Sequence, residues 1–173
     1  MSDAKTAYPG DRASARDIRL LAEEYHHAAH RAAGDIRPGE PLSAAPLRLL
    51  ALHAVELNLS ACLLLDGLTW PAIRRMGHDV GARLEAATAA GLVLRRRTAA
   101  HLVAAARDRE YLISRYGPDC QANVSQVSRL LATLDEVGRK VGRTFEAADW
   151  RVASTIPAGE LPPASTGDPA EAT

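Results

Sequence analysis

The chain holds 173 residues and six histidines, and several of these histidines stand among residue types able to do chemistry. In HAVELNLSACLLLDG, residues 53–67, His53, Glu56 and Ser60 interrupt an apolar run. At about 100° per residue they fall within an arc of about 60° on a helix, so they draw a polar seam down one side of an apolar rod. Leu49 shares that arc one turn earlier, and Asn58 points elsewhere. A carboxylate placed there needs a partner, because an unpaired buried charge is costly. The seam therefore either ties Glu56 to an arginine of a neighbouring helix or faces a ligand.

The stretch EEYHHAAH places His26 and His30 one turn apart, with Glu23 one turn before His26 and His27. Glu-x-x-His is half of a di-iron carboxylate pattern, and His-x-x-x-His is a usable metal spacing. A second Glu-x-x-His is missing, and His27 stands where the general base of a zinc-protease helix would be. The reading is a histidine-rich helix surface with no metal and no other cofactor. LRRRTAAH, residues 94–101, is a basic cluster at a helix start, able to hold a phosphate by charge and free amides. Without interleaved aromatics it reads as a solvated arginine-rich turn. After Gly77, Asp79 suits a helix N-cap, with His78 packing beside it.

These groups need a scaffold, and the pattern is helical throughout. Residues 1–12, with Pro9 and Gly10, read as a mobile lead-in. Ile18, Ala22, Tyr25, Ala29 and Ala32 recur at helical spacing over residues 13–33, closed by Gly34. DIRPGEP is a loop. A second helix over residues 42–66, stopped by Gly67, is apolar on most faces, as befits the central member of a bundle. Pro71 fits the first turn of a third helix that Gly77 interrupts and HDVGARLEAATAAGL resumes. A fourth spans residues 98–116, up to Gly117-Pro118. Asn123 and Gln126 make a capping pair for a fifth, whose apolar stripe is Val127, Leu131, Leu134, Val137, Val141 and Phe145. The tail, residues 149–173, is Ala/Pro/Ser/Thr-rich and reads as disordered. The fold class is an all-α, up-and-down bundle of four or five helices over residues 13–148.

Composition narrows the function classes. Lysine plus arginine equal aspartate plus glutamate at 21 each, so no global field recruits nucleic acid or membrane. Locally, however, eight arginines stand between Arg74 and Glu110 against Asp79, Glu85, Asp108 and Glu110. Cys62 lies in an apolar run and reads as a small hydrophobe, while Cys120 is far from it in sequence. The start has no apolar core of a signal peptide, and the best apolar run is broken by His53 and Glu56. The expectation is a cytoplasmic protein without a membrane partner.

The order HAVELNLSACLLLDG, GHDVGARLEAATAAGL, YLISRYGPD resembles the small bacterial HEPN domains over residues 13–141. Ala54, Glu56, Leu59, Ala61 and Gly67 match the first motif; Gly77, His78, Asp79 and Leu84 the second; Arg115 and Tyr116 the third. Leu57 and Ser60 stand where two lysines are common, Val80 where leucine is usual, and Gly117 where proline is usual. The resemblance implies a HEPN-type bundle acting as a homodimer, or docking on a nucleotidyltransferase-like partner, in stress or defence regulation. It points to nucleotide or RNA association, with His53, Glu56, Ser60, Arg74, Arg75, His78, Asp79, Arg115 and Tyr116 as candidate ligand-binding residues. HEPN ribonuclease toxins resemble one another in an Arg-x(4–6)-His motif, the histidine handling protons and the arginine stabilising phosphate charge. Arg96 and His101 have that spacing, although Arg97 follows where a polar residue is usual, and are the candidate catalytic pair. Arg48 and His53 share the spacing on the second helix. The expected function is a non-catalytic module; the alternatives are such a ribonuclease and a purely structural bundle.

Overall fold

The structure, a computed structural model, describes residues 8–155. These form a helical bundle: α1 (Ala15–Ala32), α2 (Ala45–Leu65), α3 (Trp70–Arg75), α4 (Val80–Ala89), α5 (Arg96–Arg107), α6 (Glu110–Tyr116) and α7 (Val127–Thr155). Short 3₁₀ turns lie at Ala33–Asp35, Pro41–Ala44 and Pro118–Asn123, and no strand occurs among the described residues.

Each helix begins and ends for a local reason. Ser14 caps α1 in a reciprocal box with Asp17: its hydroxyl accepts from the Asp17 amide, and its own amide donates to the Asp17 carboxylate. At the C-terminus of α2, Gly67 turns to φ 95°, and the Leu68 amide reaches back to the Leu63 carbonyl at 2.9 Å. Gly91, at φ 96°, ends α4 in the same way, with the Leu92 amide on the Ala87 carbonyl. Such left-handed turns suit glycine because no Cβ clashes.

Helix α2 is the hub. Leu47, Ala51, Leu52, Ala54, Val55, Leu59, Ala61 and Leu63 are all buried, and α1, α4, α6 and α7 pack around them. Alanine on several faces lets neighbouring backbones come close. The segment Pro41–Leu65 is long and apolar enough to cross a membrane, but 72% of its most apolar window is buried inside the bundle. Ile18, Ala22 and Ala29 face it from α1; Leu130, Leu134, Val137, Val141 and Phe145 face it from α7. Leu130, rather than the expected Leu131, holds the first core position of that stripe.

Other expectations are corrected. The fourth helix is not continuous: Arg109 adopts φ 54° and separates α5 from α6. Glu110 stabilises that break by accepting from the Ser125 amide and hydroxyl, which anchors α6 to the segment before α7. Asn123 does not cap α7; it ends a 3₁₀ turn, and the first helical bond, from the Leu130 amide, is accepted by Gln126. From Tyr8 onward the lead-in is docked: Arg74 pairs with Asp11 and lies over the Tyr8 ring, and the Trp70 indole donates to the Ala13 carbonyl. Helix α7 continues through Thr155, beyond the boundary drawn from composition. The rest of that tail lies outside the described residues.

Candidate functional site

The α2 seam has a buried partner. Arg83, on α4 and only 4% exposed, places Nη2 3.2 Å from Glu56 Oε1 and donates through Nε to the Ser60 hydroxyl at 3.1 Å. Ser60 in turn donates to the Glu56 carbonyl at 2.8 Å. Burial pulls the Arg83 guanidinium below its ordinary range, and the charges of Glu56 and Asp79 oppose that pull. Glu56 is thus tied to an arginine of a neighbouring helix, one of the two arrangements its placement allows.

The network reaches the surface through His78. Its Nδ1 lies 3.2 Å from Glu56 Oε2, and its ring stacks on Tyr111 of α6, centroids 4.7 Å apart at 26°. Arg115, one turn later on α6, donates to the Tyr111 hydroxyl at 2.9 Å. The guanidinium sits 5.2 Å from the Tyr111 centroid and 5.1 Å from that of Tyr116, which is 70% exposed. On the other side His53 meets Tyr25 edge-on at 4.5 Å. Burial lowers the His53 pKa despite the opposing pull of Glu56, with His78, Arg115 and Arg83 also disfavouring its charge. Burial raises the Tyr111 phenol, which Arg115 partly offsets.

Tyr111 divides two cavities. One, of about 230 Å³, is bounded by His78, Asp79, Arg109 and Leu112; the other, of about 210 Å³, by Tyr25, Leu49, His53 and Arg115. Larger cavities, of about 520 and 490 Å³, lie along α7, one beside Cys62 and Arg143 and one beside His26 and Arg139. The Tyr111 face is set apart from these by the buried Glu56–Arg83 pair beneath its stacked rings and guanidinium.

Seven candidates therefore belong to one region: His53, Glu56, Ser60, His78, Asp79, Arg115 and Tyr116. Asp79 also caps α4, accepting from the Gly81 and Ala82 amides. Arg74 is engaged by Asp11 at the lead-in, and Arg75 is exposed on α3. Sequence reasoning missed Arg83 and Tyr111. Val80, Leu84 and Ala87 make a core face on α4, and Arg83 is buried beside them; an arginine so placed demands an acid. Tyr111 and Arg115 form an i,i+4 pair, a spacing at which helix side chains meet.

Arg96 and His101 have different surroundings. Arg96 is exposed at the start of α5. His101 turns toward α7, its Nδ1 2.8 Å from the Thr133 hydroxyl and its Nε2 buried without a hydrogen-bond partner. A proton on Nδ1 lets the ring donate to Thr133 and leaves only a lone pair at Nε2. Burial lowers the His101 pKa, Glu110 opposing and Arg129 reinforcing. Nearby, Glu136 accepts from the Arg95 amide at 2.6 Å and from the Thr98 hydroxyl at 2.7 Å, capping α5 from a neighbouring helix.

No protein-family model matches the chain, and neither the curated proteins nor the solved structures yield a match.

Proposed function

We propose that this chain is a non-catalytic, HEPN-like helical module that binds single-stranded RNA through the Tyr111 face. One observation carries the reading: Tyr111, Arg115 and Tyr116 form an aromatic–cation surface, with His78 stacked against it. Single strands are held by aromatic faces that take bases and by cations that take phosphate. Each cavity beside Tyr111 has room for one nucleobase. The buried Glu56–Arg83 pair holds α2 against α4, and through His78 it sets the rim of the platform. The sequence resemblance to HEPN domains points the same way, and extends the proposal to a homodimer or a nucleotidyltransferase-like partner.

Catalysis by Arg96 and His101 has no such support, since His101 is hydrogen-bonded to Thr133 and its other nitrogen is buried. The test is fluorescence anisotropy of a labelled oligouridylate at low salt, with RNA integrity checked after each titration. Arg115→Ala and Tyr116→Ala should each weaken binding by about tenfold, as loss of a stacking or charged contact does. Arg96→Ala should change it little, and the RNA should stay intact. Equal affinity in all three variants, or cleavage abolished by His101→Ala, would overturn the reading.

A further inference from the structure

The histidine-rich face of α1 acquires a third donor from α7. Asp135 places Oδ1 2.9 Å from His26 Nε2 and 2.7 Å from His30 Nε2. The donor atoms of all three residues lie within 4.8 Å of one another. The two imidazoles stack, centroids 5.0 Å apart at 20°, so their Nε2 atoms are presented side by side. We propose that His26, His30 and Asp135 form a binding site for a divalent transition-metal ion, which would clasp α1 to α7.

The donor chemistry selects the ion class. Two imidazoles and one carboxylate suit zinc, cobalt or nickel better than calcium or magnesium, which take oxygen ligands. Metal–donor bonds of about 2.0–2.1 Å put tetrahedral donors roughly 3.3 Å apart. The carboxylate oxygen stands slightly closer than that to each Nε2, at 2.9 and 2.7 Å, while the whole donor set spans up to 4.8 Å, so small side-chain shifts admit the ion. The side chains are free to shift, with exposures of 23% for His26, 43% for His30 and 52% for Asp135. On binding, both Nε2 atoms must present lone pairs, and any proton they carry moves to Nδ1 or leaves to solvent.

A second feature of the fold accommodates the site. Gly138 lies inside α7, where glycine costs about 1 kcal/mol relative to alanine. A Cβ there would stand 3.2 Å from His26 Nδ1. The glycine thus makes room for the imidazole ring in its present position. The exposure of His30 and Asp135 leaves a fourth ligand position open to water.

The experiment is isothermal titration of ZnCl₂ into the full chain, free of any affinity tag, with cobalt absorption as the report on geometry. The expected result is one equivalent bound, a tetrahedral cobalt spectrum and a raised melting temperature with metal. His30→Ala and Asp135→Asn should each weaken zinc binding by about tenfold or more. His27→Ala, on the same helix but outside the donor set, should retain it. Circular dichroism on each variant separates lost ligation from lost fold. No zinc binding by the folded parent, or binding unchanged in both His30→Ala and Asp135→Asn, would overturn the proposal. Equal loss in His27→Ala would also overturn it, by showing a diffuse histidine surface.

Discussion

Two of the bundle's buried polar clusters end differently. Between α5 and α7, Glu136 is occupied by the Arg95 amide and the Thr98 hydroxyl, and His101 by Thr133. Between α2, α4 and α6, Glu56 and Arg83 pair below the surface, but His78, Tyr111, Arg115 and Tyr116 carry the network outward. The first arrangement ends in backbone and hydroxyl partners and works as a helix cap. The second ends in aromatic faces and a guanidinium turned toward solvent. What distinguishes a candidate site here is where the chain of contacts stops.

The largest expected effect comes from breaking the open region at its root. Glu56→Ala leaves the Arg83 guanidinium buried without its carboxylate, and should cost about 3–5 kcal/mol in urea unfolding. Replacing both, as Glu56→Leu with Arg83→Met, should recover much of that loss, because no charge is then left unpaired. A Glu56→Ala variant as stable as the parent would mean that the pair is not desolvated.

On the closed side, Glu136→Ala should cost about 1–3 kcal/mol, the penalty for orphaning the Arg95 amide and the Thr98 hydroxyl. It should leave RNA affinity unchanged. A matching fall in affinity would join the two regions functionally and remove the distinction between them.

Acidification should act on both regions in the same direction. His53 and His101 have native pKa values below the ordinary 6.5, chiefly because of burial. The unfolded chain therefore binds these protons at higher pH than the folded chain does. Their contribution to stability is complete above about 6.5 and is lost as pH falls through the native values. The melting temperature should drop between pH 7.5 and pH 5, with His101→Gln and His53→Gln each removing part of the slope. A rise in melting temperature on acidification would contradict the burial of both rings.

How much of this the sequence disclosed depends on the range of each signal. The α2 seam was legible because its polarity recurs at helical spacing, and the Asp79 cap because it follows a glycine. Both are local facts. The partner of Glu56 was not legible, since Arg83 is one of eight arginines in its region and only the packing of α4 on α2 singles it out. The break at Arg109 carried no glycine or proline to announce it; contacts from Glu110 to Ser125, distant in sequence, hold the next helix in place. Convergence of His26 and His30 on Asp135 likewise depends on how α1 lies against α7. The HEPN resemblance rests on short motifs alone, whereas the all-α fold class follows from helical periodicity and is what the bundle shows.

The smallest effect on stability, and the most telling for function, concerns the exposed rim. Tyr116→Ala should change unfolding free energy by no more than about 0.5 kcal/mol, as expected for a surface residue, while weakening RNA binding. The central claim is that the open region, and not the closed one, meets RNA. The most direct test is ultraviolet crosslinking of a bound oligouridylate, with the crosslinked peptides mapped by mass spectrometry. Crosslinks at residues 110–116, centred on Tyr111 and Tyr116, are the predicted result. Crosslinks confined to residues 95–107, around Arg96 and His101, would contradict the account.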